Sequence, residues 1–162
     1  MKQIPTWTRG QCLIYGRCSK ASQDDSLADQ ELNIRRFMEE AHLKSPCDPF
    51  EDDARRGHDE ERPGLLAVLD YVKRHPNPTR TREDYIPILV YSVSRFGRFD
   101  DAKKFMWYAT EIERHGYEFY SVEDGIRSRG DIEDFIMLLL KGQQAYSFTL
   151  DLSAYGLRTG CS

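Results

Sequence analysis

The stretch from Ile86 to Ser94, IPILVYSVS, most constrains what this chain can fold into. It is an almost continuous apolar run, rich in branched residues. A strand with one wet face alternates apolar and polar residues, whereas a strand covered on both faces does not. The run therefore reads as the central strand of a mostly parallel sheet with helices on both sides. CLIYGRC, residues 12–18, reads as a first strand, short and mostly apolar. The polar SKASQDD ends it, and Ser26 is expected to cap a helix with Leu27, Ile34, Phe37, Met38 and Ala41 near helical spacing. A short second strand is expected near Pro49 to Asp52, followed by a charged loop. Pro63 belongs in the first turn of the next helix, with Leu65, Leu66, Val68, Leu69 and Val72 filling one side. HPNPTRTRED, residues 75–84, reads as an irregular loop because of its prolines. A helix from about Asp100 to His115 should break at Gly116, with a fourth strand at EFYSVE, residues 118–123. From Asp131 the pattern is helical to about residue 155. Strands and helices in alternation imply an α/β fold with right-handed crossovers. The expected architecture is a central sheet of four to five strands flanked by helices over residues 1–128, then a long C-terminal helix over 129–162.

A chain of 162 residues with 40% hydrophobic content suits one well-packed core. It has no run of about 18 apolar residues, so no membrane span is expected, and its polar start lacks the apolar centre of a signal peptide. Cys12, Cys18, Cys47 and Cys161 form no C-x-x-C pair, which argues against zinc and against a disulfide frame. Free thiols in a cytoplasmic protein is the plain reading. A net charge of −4 by itself argues mildly against a nucleic-acid partner. The charge is unevenly spread, however. Residues 54–98 carry nine Lys/Arg against six acidic residues, a net +3 that leaves −7 for the remainder.

Ligands of such sheets sit beyond the carboxyl ends of the strands. The loops after the first and third strands, RCSKASQ and SRFGRFDD, deliver Arg17, Ser19, Arg95 and Arg98 toward one region. Cys18 and Ser19 are adjacent, and both side chains are potential nucleophiles. Side chains alternate across a strand, so Arg17 and Ser19 share a face if the strand persists, and Cys18 points the other way into packing. A buried thiol is inert, which favours Ser19. A serine after a strand is most often a turn or cap residue, and clustered arginines are equally the mark of a solvated basic surface. Yet guanidinium groups gathered around one hydroxyl repel each other without an anion. A phosphodiester fits their planar forks, and its charge grows in the transition state. Rival motifs are missing from the sequence. There is no C-x5-R from Cys18, no G-x-x-x-x-G-K-[ST], no G-x-G-x-x-G after the first strand and no G-x-S-x-G. A nucleotide-binding flavodoxin-like reading is disfavoured by the missing glycine-rich loop.

Five segments in order resemble one family. YGRCS is similar to an opening Y-x-R-V-S, and QDDSLADQ to the Q…S-L-x-x-Q that follows it. FEDDARRGHDEERPGL resembles a segment with an Asp, a Gly and then R-P-G-L. LVYSVSRFGR resembles a strand ending in D-R-L-G-R, and GYEFYSVEDG the fourth strand. Together they span nearly the whole chain and resemble the catalytic domain of the serine recombinases, the resolvases, invertases and large integrases. The resemblance implies that Ser19 attacks the scissile phosphate and forms a 5′-phosphoserine link to double-stranded DNA. It implies that Arg17, Arg62, Arg95 and Arg98 hold that phosphate. Gln23, Gln30 and Asp53 match polar positions that support the site or the DNA. It implies no metal or other cofactor, since the phosphoserine conserves the bond energy for religation. The partners implied are DNA and further copies of the chain, a homodimer that becomes a tetramer in synapsis.

The chain departs from the family pattern at Ser94, where relatives commonly carry Asp, at Arg56, and at Ala145 and Phe148. A non-catalytic oligomerisation or regulatory module that kept the fold is the alternative these departures raise. The C-terminal segment has apolar residues on more than one side, including Phe135, Leu139, Tyr146 and Leu150. It is read as an oligomer seam in preference to a well-buried core helix that ends near Gly142. Nothing reads as a helix-turn-helix or zinc module, so the separate DNA-binding region of relatives is expected to lie outside this chain.

Overall fold

The computed structural model describes residues 4–18, 27–53, 62–95 and 102–143, without the side chains of residues 95, 102 and 141–143. Five strands form one sheet in the order β2-β1-β3-β4-β5. They are β1 (Leu13–Cys18), β2 (Phe50–Asp53), β3 (Ile86–Val90), β4 (Tyr117–Ser121) and β5 (Ile126–Arg127). The first four are parallel, and β5 returns antiparallel to β4. The helices are α1 (Leu27–Ala41), α2 (Pro63–Arg74), α3 (Ala102–Arg114) and α4 (Ile132–Gln143). This is the expected mostly parallel α/β sheet. The part of the C-terminal helix expected beyond residue 143 lies outside the described residues.

Burial follows strand parity. Leu13 and Tyr15 of β1, Ile86, Ile88 and Val90 of β3, and Tyr117 and Phe119 of β4 share a core with α2, α3 and α4. Phe105 of α3 stacks on Phe135 of α4 with ring centroids 4.8 Å apart. On the opposite face, Cys12, Ile14, Leu89 and Tyr120 pack against Ile34, Phe37 and Met38 of α1 and against Trp7. Every residue of β1, β3 and β4 is buried, which is what an unalternating apolar run requires. Burial pushes the Cys12 thiol up to about 12, so it packs as a neutral side chain.

Three local expectations change. β3 stops at Val90 rather than running to Ser94. The Asp124 carboxylate accepts the Val93 N–H at 2.9 Å and the Ser121 hydroxyl at 2.7 Å. The chain therefore turns into a 3-10 segment over Val93–Arg95. Leu66 is 49% exposed rather than part of the buried side of α2, because one residue's rotation from Leu65 carries it past the contact stripe. The loop over 75–84 contains a 3-10 turn, Arg82–Asp84. Thr81 and Asp84 form a reciprocal capping box there, beyond the reach of the prolines.

One charge sits deep in this core. Glu118 of β4 is fully buried. It accepts hydrogen bonds from Arg127 Nε at 3.0 Å, Arg127 Nη2 at 2.6 Å and Trp7 Nε1 at 2.8 Å. The cluster pins the N-terminal segment and β5 to β4. Removing one member of a buried pair strands the other in low dielectric. Glu118→Gln is therefore expected to lower the unfolding free energy by about 3 kcal/mol in urea titration. A loss well below about 1 kcal/mol would show that the cluster carries no net stabilisation.

Candidate active site

The carboxyl ends of β1 and β2 meet the N-terminus of α2, and α2 is held there by a borrowed cap. Pro63 occupies the first turn and has no N–H, and Leu66 N–H already bonds Arg62 O at 3.1 Å. That leaves the Gly64 and Leu65 N–H groups. Asp52 of β2 takes both, through Oδ1 at 2.6 Å and Oδ2 at 3.0 Å. A carboxylate at a helix N-terminus also opposes the helix dipole. The close approach requires glycine at 64. A Cβ there would lie 2.4 Å from the Glu51 carbonyl oxygen.

Asp52 Oδ2 also accepts the Tyr15 hydroxyl at 2.6 Å. Tyr15 oxygen in turn accepts from Arg62 Nη2 at 3.0 Å, and the Arg62 guanidinium lies over the Tyr15 ring, 5.8 Å from its centroid. Burial pushes the Tyr15 phenol up. The Arg62 charge pulls it back, and the Asp52 charge pushes it further up. Tyr15 is therefore a neutral donor to Asp52. Arg62 itself is buried and holds φ 48, ψ 58, the left-handed conformation. A following proline disfavours the right-handed helical region, and the left-handed one costs a non-glycine residue about 1 kcal/mol or more. That geometry folds the Arg62 side chain inward over Tyr15 rather than out along the helix axis.

Arg17 belongs to the same corner. It is buried, and its register partner across the parallel pair is Asp52. By strand parity it shares the Tyr15 face. Beyond Ile14 the β1–β3 pairing ends, and the Gln30 side chain takes over on Arg17. Gln30 Nε2 donates to Arg17 O at 2.9 Å, and Gln30 Oε1 accepts the Arg17 N–H at 3.4 Å. Gln30 is buried, so its place is behind Arg17 rather than at the surface. Cys18 is buried at the end of β1.

The residues singled out from the sequence divide as follows. Arg62 packs on Tyr15, which bonds Asp52, and Arg17 lies in register with Asp52 with Gln30 behind it. Asp53 is half-buried at the end of β2, opposite Cys18 in register. Arg95 ends the 3-10 turn after β3, which packs against β1. Its side chain, and Ser19, Gln23 and Arg98, lie outside the described residues. Ser94 is exposed, with its hydroxyl 3.1 Å from that of the buried Ser92. Sequence reasoning missed Tyr15 and Asp52 as site members. The signal was there in YGRCS and in the acidic pair, but β2 is too short for alternation to say which acid faces in. Chemically, the corner gathers two buried arginines, Arg17 and Arg62, beside the buried Asp52 carboxylate. That carboxylate is already bonded to a helix N-terminus and a phenol. The balance favours an anion at the rim.

The comparisons with known proteins agree with this geometry. The family model "Resolvase, N terminal domain" matches residues 12–150. Among solved structures, the chain is similar to the N-terminal catalytic domain of TP901-1 integrase, with a TM-score of 0.58 and 15% identity. The match covers 91% of this chain and 98% of that one. At that identity it speaks to the fold. A search of curated protein sequences finds no match. With more than half of its length under that model, the chain belongs to the resolvase family of serine recombinases and carries the family's N-terminal domain.

Proposed function

We propose that this chain is the catalytic domain of a site-specific DNA recombinase in which Ser19 is the nucleophile. The observation that carries the reading is the buried Arg17–Arg62 corner organised by Asp52 and Tyr15, at the sheet rim where β1 leads directly to Ser19. In the proposed step the Ser19 oxygen attacks the scissile phosphorus and the bond from phosphorus to the 3′ oxygen breaks. The departing 3′ oxygen takes up a proton, and the 5′ phosphate stays on Ser19 as a phosphodiester. Religation runs the same exchange backward, with the 3′ hydroxyl attacking and Ser19 leaving. No external energy source enters, because one phosphodiester is exchanged for another.

The arginines supply positive charge where the pentavalent phosphorus accumulates negative charge. Their burial matters, since a guanidinium held away from bulk water acts in a lower effective dielectric. Arg17 and Arg62 are fixed before any DNA arrives. Arg17 is fixed through its backbone by Gln30, and Arg62 by Tyr15 and its left-handed backbone. Arg95 and Arg98 join them in the proposal, with Gln23 and Asp53 as supporting groups. Double-stranded DNA is the substrate. The working assembly is a homodimer that pairs into a tetramer, with residues 129–162, which enter α4 at Ile132, as its seam. Whether the exchange integrates, inverts or excises depends on the arrangement of DNA sites.

Covalent trapping on suicide duplexes tests the nucleophile. The wild-type chain, joined to a DNA-binding region if it needs one, is expected to form a covalent adduct. Ser19→Ala is expected to form none and Cys18→Ala to form it normally. Equal trapping by wild type and Ser19→Ala would end the assignment and leave a non-catalytic module as the reading. A second measurement addresses the corner. Tyr15→Phe removes the link between Asp52 and Arg62 while keeping the ring. It is expected to cost about 1 kcal/mol of stability and to slow single-turnover cleavage about tenfold or more. Unchanged cleavage would remove Tyr15 from the positioning role.

A further inference from the structure

The opposite rim of the sheet holds a groove that the proposed Ser19 chemistry does not use, although Arg129, Gly130 and Ile132 of its lining fall at the start of the proposed seam. It has a volume of about 540 Å³ and lies between α3 and the segment joining β5 to α4. Its lining includes Arg82, Met106, Ala109, Glu113, Arg129 and Ile132. Arg82 stands just before β3 and Glu113 just before β4. The groove therefore opens at the amino ends of the parallel strands, away from Arg17 and Arg62.

Its chemistry is specific. The Arg129 guanidinium carbon lies over the Tyr85 ring, 3.8 Å from the centroid, which holds the group in place. Arg129 Nη1 is buried and has no hydrogen-bond partner among the described residues. A buried charged donor left unmet is costly. Arg82 reaches the same turn. Its Nη2 lies 2.8 Å from where a Cβ on Gly130 would sit, and Gly130 has φ +96. The lining hydroxyls are already committed: Thr110 donates to Met106 O, and Ser128 Oγ accepts the Phe119 N–H. Met106, Ala109 and Ile132 supply apolar wall. Two guanidinium groups against one carboxyl, Glu113, leave a net +1.

We propose that this groove binds a small monocarboxylate with an apolar body, its carboxylate on Arg129 and Arg82 and its body against Met106, Ala109 and Ile132. The planar fork of Arg129, held against Tyr85 with a free N–H, matches a carboxylate better than a spherical anion. The volume suits a small organic acid. Glu113 lines the same groove and disfavours a second negative charge, so monoanions are preferred over dianions.

Amide-detected NMR titration of the full chain with 3-phenylpropanoate tests this, with 3-phenylpropanamide as the neutral control. The acid is expected to give saturable shifts at Thr110, Ser128 and Gly130, and the amide to bind about tenfold more weakly or less. Arg129→Met and Arg82→Met are each expected to weaken binding about tenfold. Glu113→Gln leaves the stack on Tyr85 intact. It is expected to strengthen binding and to admit succinate, which the wild type rejects. A short peptide ending in a free-carboxyl phenylalanine separates the sources of the ligand. Tighter binding than the free acid assigns the groove to a chain terminus, and weaker binding to a free metabolite. Either outcome retains the carboxylate site. Absence of saturable shifts, equal binding of acid and amide, or no response to Glu113→Gln would overturn the proposal. None of these readouts depends on DNA cleavage, so the groove and the Ser19 assignment stand or fall separately.

Discussion

The Asp52 carboxylate ties together the corner on which the proposed chemistry depends. Its two oxygens receive the α2 N-terminus and the Tyr15 hydroxyl. β1, β2 and α2 thereby share one acceptor. A side chain at Arg62 cannot cap its own helix, and Pro63 has no N–H to offer, so the cap has to come from elsewhere in the fold. Placing it on β2 makes the attachment of α2 and the aim of Arg62 consequences of the same contact. Local stability and the aim of Arg62 are thus inseparable at this corner.

Much of the fold is legible in the sequence because apolar periodicity reports burial directly. IPILV is unalternating and proves covered on both faces. Pro63 opens a helix, and Arg17 lies in register with the Asp52 that caps it. The resemblance of five ordered segments to serine recombinases agrees with the family model. What escaped were effects of distant partners. β3 ends early because Asp124, well downstream, accepts a backbone N–H from Val93. Glu118 sits in EFYS as an ordinary charged letter, and only the return of β5 with Arg127 and the approach of Trp7 make its burial tolerable. Asp52 and Asp53 are adjacent acids in a four-residue strand, and no local rule separates the buried one from its half-exposed neighbour.

The sheet divides its labour between its rims. At the carboxyl ends, buried guanidinium groups stand beside the strand that leads to Ser19. At the amino ends, the Arg82–Arg129 groove is built from loops that the strand register leaves beyond the sheet. Both use arginine held by an aromatic ring, Tyr15 in one case and Tyr85 in the other. The arrangement holds a guanidinium group against an aromatic face.

The Gln30 amide carries one more consequence. It takes both backbone groups of Arg17 on the side where β3 has already parted from β1. A carboxamide mimics one rung of a strand, but it hangs from a helix and not from a neighbouring ladder. The position of Arg17 is thus registered to α1 on one flank and to β2 on the other. Any rigid shift of α1 across the sheet would be transmitted to Arg17 as a displacement of its backbone, which makes that helix the natural lever on this rim.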